Sequence, residues 1–369
     1  MTENIINNMR KLRVYRSRSF KFDVVAAIVV FLVAIPLCLG IALASGAPLF
    51  AGLLSGIIGG VVVGSLSGSQ VSVSGPAAGM AAVVLAAITQ LGDYNIFLLA
   101  LVLAGLLQVL VGTFKAGFVA DYVPSNVVQG LLCAIGILLI VKQIPFTFTL
   151  STESKELQAH LLETTESFSF SPLSDLSYHI NTGAIIISVI SLAIMFYFEK
   201  TKTQWLKGIP APIVVVLAGI LLNELFITLG STLAQNNPHL VNIPKHDGFA
   251  DFFNQLQFPD WSAWKNPKVY LYAFIIATVA SLESLLNVKA GEKLDTKHRY
   301  CSKDQELIAQ GVGNFTAGLV GAIPITSVIV RTSVNVQAGS KTKMSAILHG
   351  VFLLLAVMLI PGWLNKIPL

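Results

Sequence analysis

Charge is what this chain has least of. Asp, Glu, Lys and Arg make up 12% of its 369 residues, where a soluble domain carries about a quarter. Hydrophobic residues make up 54% and the mean hydropathy is +0.74, more apolar surface than a water-soluble fold of this length can hide. A soluble protein is excluded; lipid is the solvent for much of the chain. Cysteine is scarce too. Cys38, Cys133 and Cys301 are odd in number and lack ligand-like spacing, which argues against a disulfide framework and a zinc site. Cys38 and Cys133 lie in apolar runs and read as small packing residues, and His298 and His349 form no metal pattern with their neighbours. HExxH, a nucleophile-elbow GxSxG in a suitable context and Walker A are all missing, so the chain does not read as an enzyme. Without a nucleotide site, any work the chain does has to draw on an ion or exchange gradient. A cleavable signal peptide is missing as well: the basic stretch Arg10 to Lys21 runs into an apolar segment that continues past Pro36 to Ala44.

What is there is a succession of apolar runs. Crossing the hydrocarbon takes about 20 apolar residues, and spans are expected near 23–44, 49–67, 72–91, 95–113, 125–142, 181–198, 209–229, 268–288, 304–321, 324–338 and 343–361. The third and tenth are short or broken by Gly and Pro near their starts. A cytoplasmic N-terminus puts seventeen of the 24 Lys and Arg inside, among them Lys115, Lys200, Lys202, Lys207, Lys341, Lys343 and the group from Lys289 to Lys303. That agrees with the positive-inside rule, and the reverse orientation violates it nearly everywhere. The loop 143–180, with Glu153, Glu156, Glu163, Glu166 and Asp175, then faces out as a polar cap. Gly52, Gly56, Gly60, Gly64 and Gly68 make a stripe on the second span, read as a close helix-packing surface rather than a substrate contact.

The broken spans suggest a site. Ser72-Val73-Ser74-Gly75-Pro76-Ala77-Ala78-Gly79 has serines suited to capping a helix, a proline suited to its first turn, and small residues that let a ligand approach the backbone. Gly321-Ala322-Ile323-Pro324-Ile325-Thr326-Ser327 is its counterpart in the tenth span. One enters from inside and the other from outside, so their helices are expected to begin near the midplane and face each other. Facing helix N-termini make an anion site; the alternative is two ordinary Pro-kinked spans. Arg331 lies about two turns into the tenth span, either raising the potential of that site or snorkelling to the cytoplasmic end. Glu283, well inside the eighth span, is suited to taking up a proton, pairing with Arg331 or holding a cation.

These residues also carry a resemblance. Ile35-Pro36 through Ala42-Leu43-Ala44-Ser45-Gly46, then Ser72 to Pro76, then Gly117-Phe118-Val119-Ala120-Asp121-Tyr122-Val123-Pro124 look like signatures of the sulfate-permease family, bacterial relatives of the solute-carrier 26 anion transporters. The most specific stretch is Leu282-Glu283-Ser284-Leu285-Leu286 followed by Asp304 to Asn314, and it continues through Pro324, Arg331 to Asn335 and Ala338-Gly339. The resemblance implies an all-α polytopic membrane fold of two inverted seven-span repeats, split into core and gate domains, usually dimeric and working as an elevator. It implies an anion held between the starts of spans three and ten, by Ser72, Ser74, Gly75, Pro76, Ala77, Ala78, Thr326, Ser327 and Arg331. Glu283 stands at the family's coupling position, where a sodium ion or a proton would act. The expected partners are a small inorganic anion, the lipid bilayer, a second copy of the chain and, in one branch, a carbonic anhydrase; nucleic acid is not among them.

On that pattern the chain divides into a basic cytoplasmic N-terminus at 1–22, a first repeat at 23–229, an extracytoplasmic loop at 230–267 and a second repeat at 268–369. Eleven spans rather than fourteen make the second repeat incomplete, and a C-terminal regulatory domain is not seen. Leu37 follows the first-span proline, where many sulfate-transporting members carry glutamine and the cyanobacterial bicarbonate branch is apolar. The sequence therefore points to sulfate or bicarbonate transport across a bacterial inner membrane by symport or exchange. A passive anion channel and a dicarboxylate or nucleobase permease are the rival readings.

Overall fold

A computed structural model describes residues 2–122, 182–200, 211–229 and 255–359, with a few single positions besides. The expected fifth span at 125–142, the loop at 143–180 and most of the loop at 230–267 lie outside the described residues.

Long apolar runs become helices because lipid offers the backbone no hydrogen-bond partner, so every N–H and C=O must be met within the segment. Helix α1 (Thr2–Ala44) contains Pro36, and α2 (Leu49–Ile58) continues through a π turn at Gly59–Val63 into a last turn at Gly64–Leu66. The third segment opens as an extended strand β1 (Ser74–Pro76), passes through a 3₁₀ turn at Ala78–Met80 and becomes α3 (Ala81–Leu91). Asp93 caps α4 (Tyr94–Thr113) by accepting from the Asn95 amide at 2.9 Å. Then come α5 (Thr182–Lys200), α6 (Ala211–Thr228) and α7 (Pro267–Leu294), the last capped by Asn266 with proline in its first turn. Ser302 caps α8 (Lys303–Val320), and Gly321, at φ +87°, ends it in the left-handed conformation that an L side chain resists. Strand β2 (Ile325–Ser327), α9 (Ile329–Gln337) and α10 (Met344–Leu359) complete the order.

Among the described residues, four helical stretches are long and apolar enough to cross a membrane: Ser19–Ala44, Leu49–Leu66, Tyr94–Thr113 and Pro267–Leu294. Shorter apolar helices run over Ala78–Leu91, Thr182–Phe198, Val214–Thr228 and Met344–Leu359. Apart from the fifth, each expected span falls on one of these elements or on α8 and β2–α9.

The chain forms two compact units. The first comprises Met1–Ile135 and Lys245–Pro361, the second Gly136–Pro244 and Gly362–Leu369. In the second, α5 packs on α6. The first holds all the other elements, drawn together by small residues. A Cβ on Gly60 would lie 2.6 Å from the Gly350 Cα, and one on Gly52 would overlap the Cys38 carbonyl. The glycine stripe thus brings α2 and its π turn into backbone contact with α10 and α1. A second such seam, between α4 and α8, is formed where Gly105 meets Gly311. Dispersion across these close contacts replaces the hydrophobic drive that lipid removes. Asp23 of α1 fixes the turn between α9 and α10, accepting from the Lys341 and Thr342 amides at 2.7 and 3.0 Å.

Candidate functional site

The two broken segments, 255 residues apart at Ser72 and Ser327, cross and pair. They form an antiparallel ladder in which Ser74 faces Ser327, Gly75 faces Thr326 and Pro76 faces Ile325. Ser72 Oγ lies 2.6 Å from Ser327 Oγ, and the Val328 amide donates to the Val73 carbonyl at 3.0 Å. This changes the expected roles of the serines and the proline. Ser72 ties β1 to Ser327 of β2 rather than capping a helix, and Pro76 ends β1 instead of starting a helix. Ala77 and Val328 occupy the cap positions, and neither provides a side-chain cap. Two helices therefore begin beside the strand crossing without the N-cap side chain that a helix N-terminus ordinarily finds.

Ala77 and Ser74 are buried, Thr326 is fully so, and Ala78 is half-buried as the first residue of its 3₁₀ turn. Thr326 Oγ1 donates to the neighbouring Ser327 carbonyl at 3.2 Å. Side chains outside the two segments hold them in place. Asn287 Nδ2 donates to the Ser327 carbonyl at 2.6 Å, Thr332 Oγ1 accepts from the Val73 amide at 3.2 Å, and Asn335 Nδ2 donates to the Val71 carbonyl at 2.8 Å.

Arg331 lies in the first turn of α9, not two turns in, because the helix starts only at Ile329. It is fully buried, and its guanidinium rests against β1: a Cβ on Gly75 would overlap Nη1. Nη2 donates to Cys38 Sγ at 3.2 Å, while Nε and Nη1 are buried without a hydrogen-bond partner. Cys38, read from sequence as packing, thus contacts the guanidinium beside the strands. Glu283 does not neutralise that cation. Its Oε2 is buried without a partner, and its carboxylate instead receives the Gly79 backbone amide at the start of the third-span helix. Both ionisable residues converge on the 72–79 segment, Arg331 at Gly75 and Glu283 at Gly79.

The sequence reading missed Cys38, Asn287, Thr332 and Asn335, and also Gln310 and Asn314 of α8. The signal for the last two was present as their spacing of four, which continues the face begun by Glu306.

YvdB of Bacillus subtilis, which carries a sulfate-transporter name, is 29% identical over 359 residues, covering 96% of this chain and 63% of its own. The bicarbonate transporter BicA of Picosynechococcus is 24% identical, with 95% and 60% covered. The chain spans about three-fifths of the length of these relatives. The solved transmembrane domain of a cyanobacterial BicA superposes with a TM-score of 0.77 at 22% identity, over 95% of this chain and 86% of that one, so the fold is that of this transporter domain. The profile of the sulfate permease family matches residues 20–369, and the chain belongs to that family.

Proposed function

We propose that this chain forms the membrane unit of a secondary transporter for a small inorganic anion, sulfate or bicarbonate, held where β1 and β2 cross. The observation that carries the reading is Arg331: a fully buried guanidinium with two unpartnered nitrogens, beside two helix N-termini that lack side-chain caps. A charged residue at bilayer depth costs about 3 kcal/mol or more unless something compensates it. Cys38 is a weak acceptor and cannot do so; an anion can. Ser72, Ser74, Gly75, Pro76, Ala77 and Ala78 from one segment and Thr326 and Ser327 from the other form the walls. The names of both relatives support an oxyanion substrate.

Glu283 is assigned the coupling role. Its carboxylate touches the Gly79 amide, at the same helix start that would receive the anion. A sodium ion or a proton on Glu283 would remove its repulsion of the anion, which links the two bindings. The repeat division at 23–229 and 268–369, a cytoplasmic N-terminus in a bacterial inner membrane, and a full-length homodimer, with or without a carbonic anhydrase, belong to the same reading.

The test is uptake by proteoliposomes holding the full-length gene product, with labelled sulfate and bicarbonate compared under imposed sodium and proton gradients. Uptake of either anion that depends on one gradient supports coupled transport and names the substrate. Large unitary currents without such dependence would favour a channel.

A further inference from the structure

One face of α8 remains without a role in the site as described. Glu306, Gln310 and Asn314 recur every fourth residue, so they share that face, and all three are fully buried. Asn314 grips the first residue of β2 by both backbone groups: Oδ1 accepts from the Ile325 amide at 2.6 Å and Nδ2 donates to the Ile325 carbonyl at 3.0 Å. Pro76 is the register partner of Ile325, and the Val328 to Val73 bond three residues on makes theirs a non-hydrogen-bonded pair, so both backbone groups of Ile325 point away from β1. The side-chain amide of Asn314 satisfies that outer edge of β2. One helical turn away, Gln310 Nε2 donates to Ser74 Oγ at 2.9 Å, in the middle of the candidate site, and to Glu306 Oε1 at 2.8 Å. Glu306 is held in turn by the Ser67 hydroxyl at 2.5 Å. Asn314 Nδ2 also donates to Gln108 Oε1 at 2.7 Å, and Gln108 Nε2 donates to Ser281 at 3.2 Å, two residues before Glu283.

We propose that Gln310 and Asn314 are positioning residues that set the mutual placement of β1 and β2, and with it the geometry of the anion site. The proposal rests on the reading of the strand crossing as that site. Neither residue needs to touch the anion. Asn314 holds the outer edge of β2 and Gln310 holds a hydroxyl of β1, so one helix face grips both strands of a ladder only three residues long. A buried donor or acceptor left unmet is costly enough to let a three-residue strand shift.

The experiment measures KM and maximal rate for labelled sulfate or bicarbonate with the full-length protein in proteoliposomes. Asn314→Asp keeps the shape and the acceptor for Ile325 but loses both donated bonds. Gln310→Met keeps the length, removes the bond to Ser74 and introduces no charge, so it carries the test if Asn314→Asp does not fold. Each should raise KM about tenfold, with a smaller change in maximal rate and a normal yield of folded protein. Thr316→Val, whose hydroxyl bonds only its own helix at Val312, should leave KM unchanged. A lowered melting temperature with unchanged KM in Gln310→Met would make these residues merely structural and overturn the proposal. If Arg331→Ala raises KM while Gln310→Met does not, the site stands and the positioning role falls. Unchanged KM in both would remove the site itself.

Discussion

Arg331 and Cys38 meet across 293 residues of sequence, the guanidinium Nη2 donating to the thiol at 3.2 Å. Gly56 makes the meeting possible, since a Cβ there would come within 2.8 Å of Cys38 Sγ. The contact fixes one edge of the guanidinium and leaves Nε and Nη1 free. A carboxylate at position 38 would neutralise the cation, whereas a thiol orients it and leaves its charge for a ligand.

Replacing Cys38 separates those two effects. Cys38→Ser keeps an acceptor and should change stability by less than about 1 kcal/mol, whereas Cys38→Val leaves a third guanidinium nitrogen unmet and should cost about 1–3 kcal/mol. Thermal unfolding of both variants in detergent checks the order.

Gly75→Ala places a methyl group where the Arg331 guanidinium lies. The arginine must then move away from β1, and the anion KM should rise about tenfold, roughly 1.4 kcal/mol. Gly92→Ala, at a left-handed turn with no atom within 4 Å of the new methyl, should lower stability through backbone strain while leaving KM unchanged. Uptake kinetics distinguish the two.

Glu283→Gln retains an oxygen to accept from Gly79 but cannot hold a cation by charge. Anion binding should persist within about twofold, while uptake loses its dependence on the driving gradient. Normal gradient-dependent uptake by the variant would take the coupling role away from Glu283.

Asp295, in the connection between α7 and α8, offers a pH test outside the spans. Burial raises its pKa, but hydrogen bonds from the Arg299 guanidinium and from the Lys297 and Arg299 amides outweigh this and hold it at about 2. The Arg299 Nε to Asp295 Oδ2 distance is 2.7 Å. A carboxyl group held below its ordinary value stabilises the fold at pH values above about 4 and loses that contribution as pH falls through about 2. Asp295→Asn should therefore melt below wild type at pH 7, with the gap closing between pH 4 and 2.

Much of this architecture was legible in the sequence because lipid imposes so strict a rule. An apolar run of twenty residues must be a helix, and ten of the eleven expected spans correspond to described elements. The same rule hid the strand crossing. Residues 74–76 and 325–327 are too short to show a strand period, and only tertiary contact satisfies their backbone. Ser72 therefore looked like a helix cap, since no local pattern marks a serine that bonds a partner 255 residues away. Arg331 and Glu283 stood out because ionisable groups in apolar spans are costly. Gln310 and Asn314 did not, because an uncharged amide in a helix gives no sign of which backbone it will serve.

The most direct measurement is equilibrium binding of labelled sulfate and bicarbonate to the purified full-length protein and its Arg331→Ala variant. The account predicts saturable binding of one anion by wild type and at least about tenfold weaker binding by a folded variant. Equal affinity in the two proteins would contradict it, because the buried guanidinium would then have no part in holding the anion.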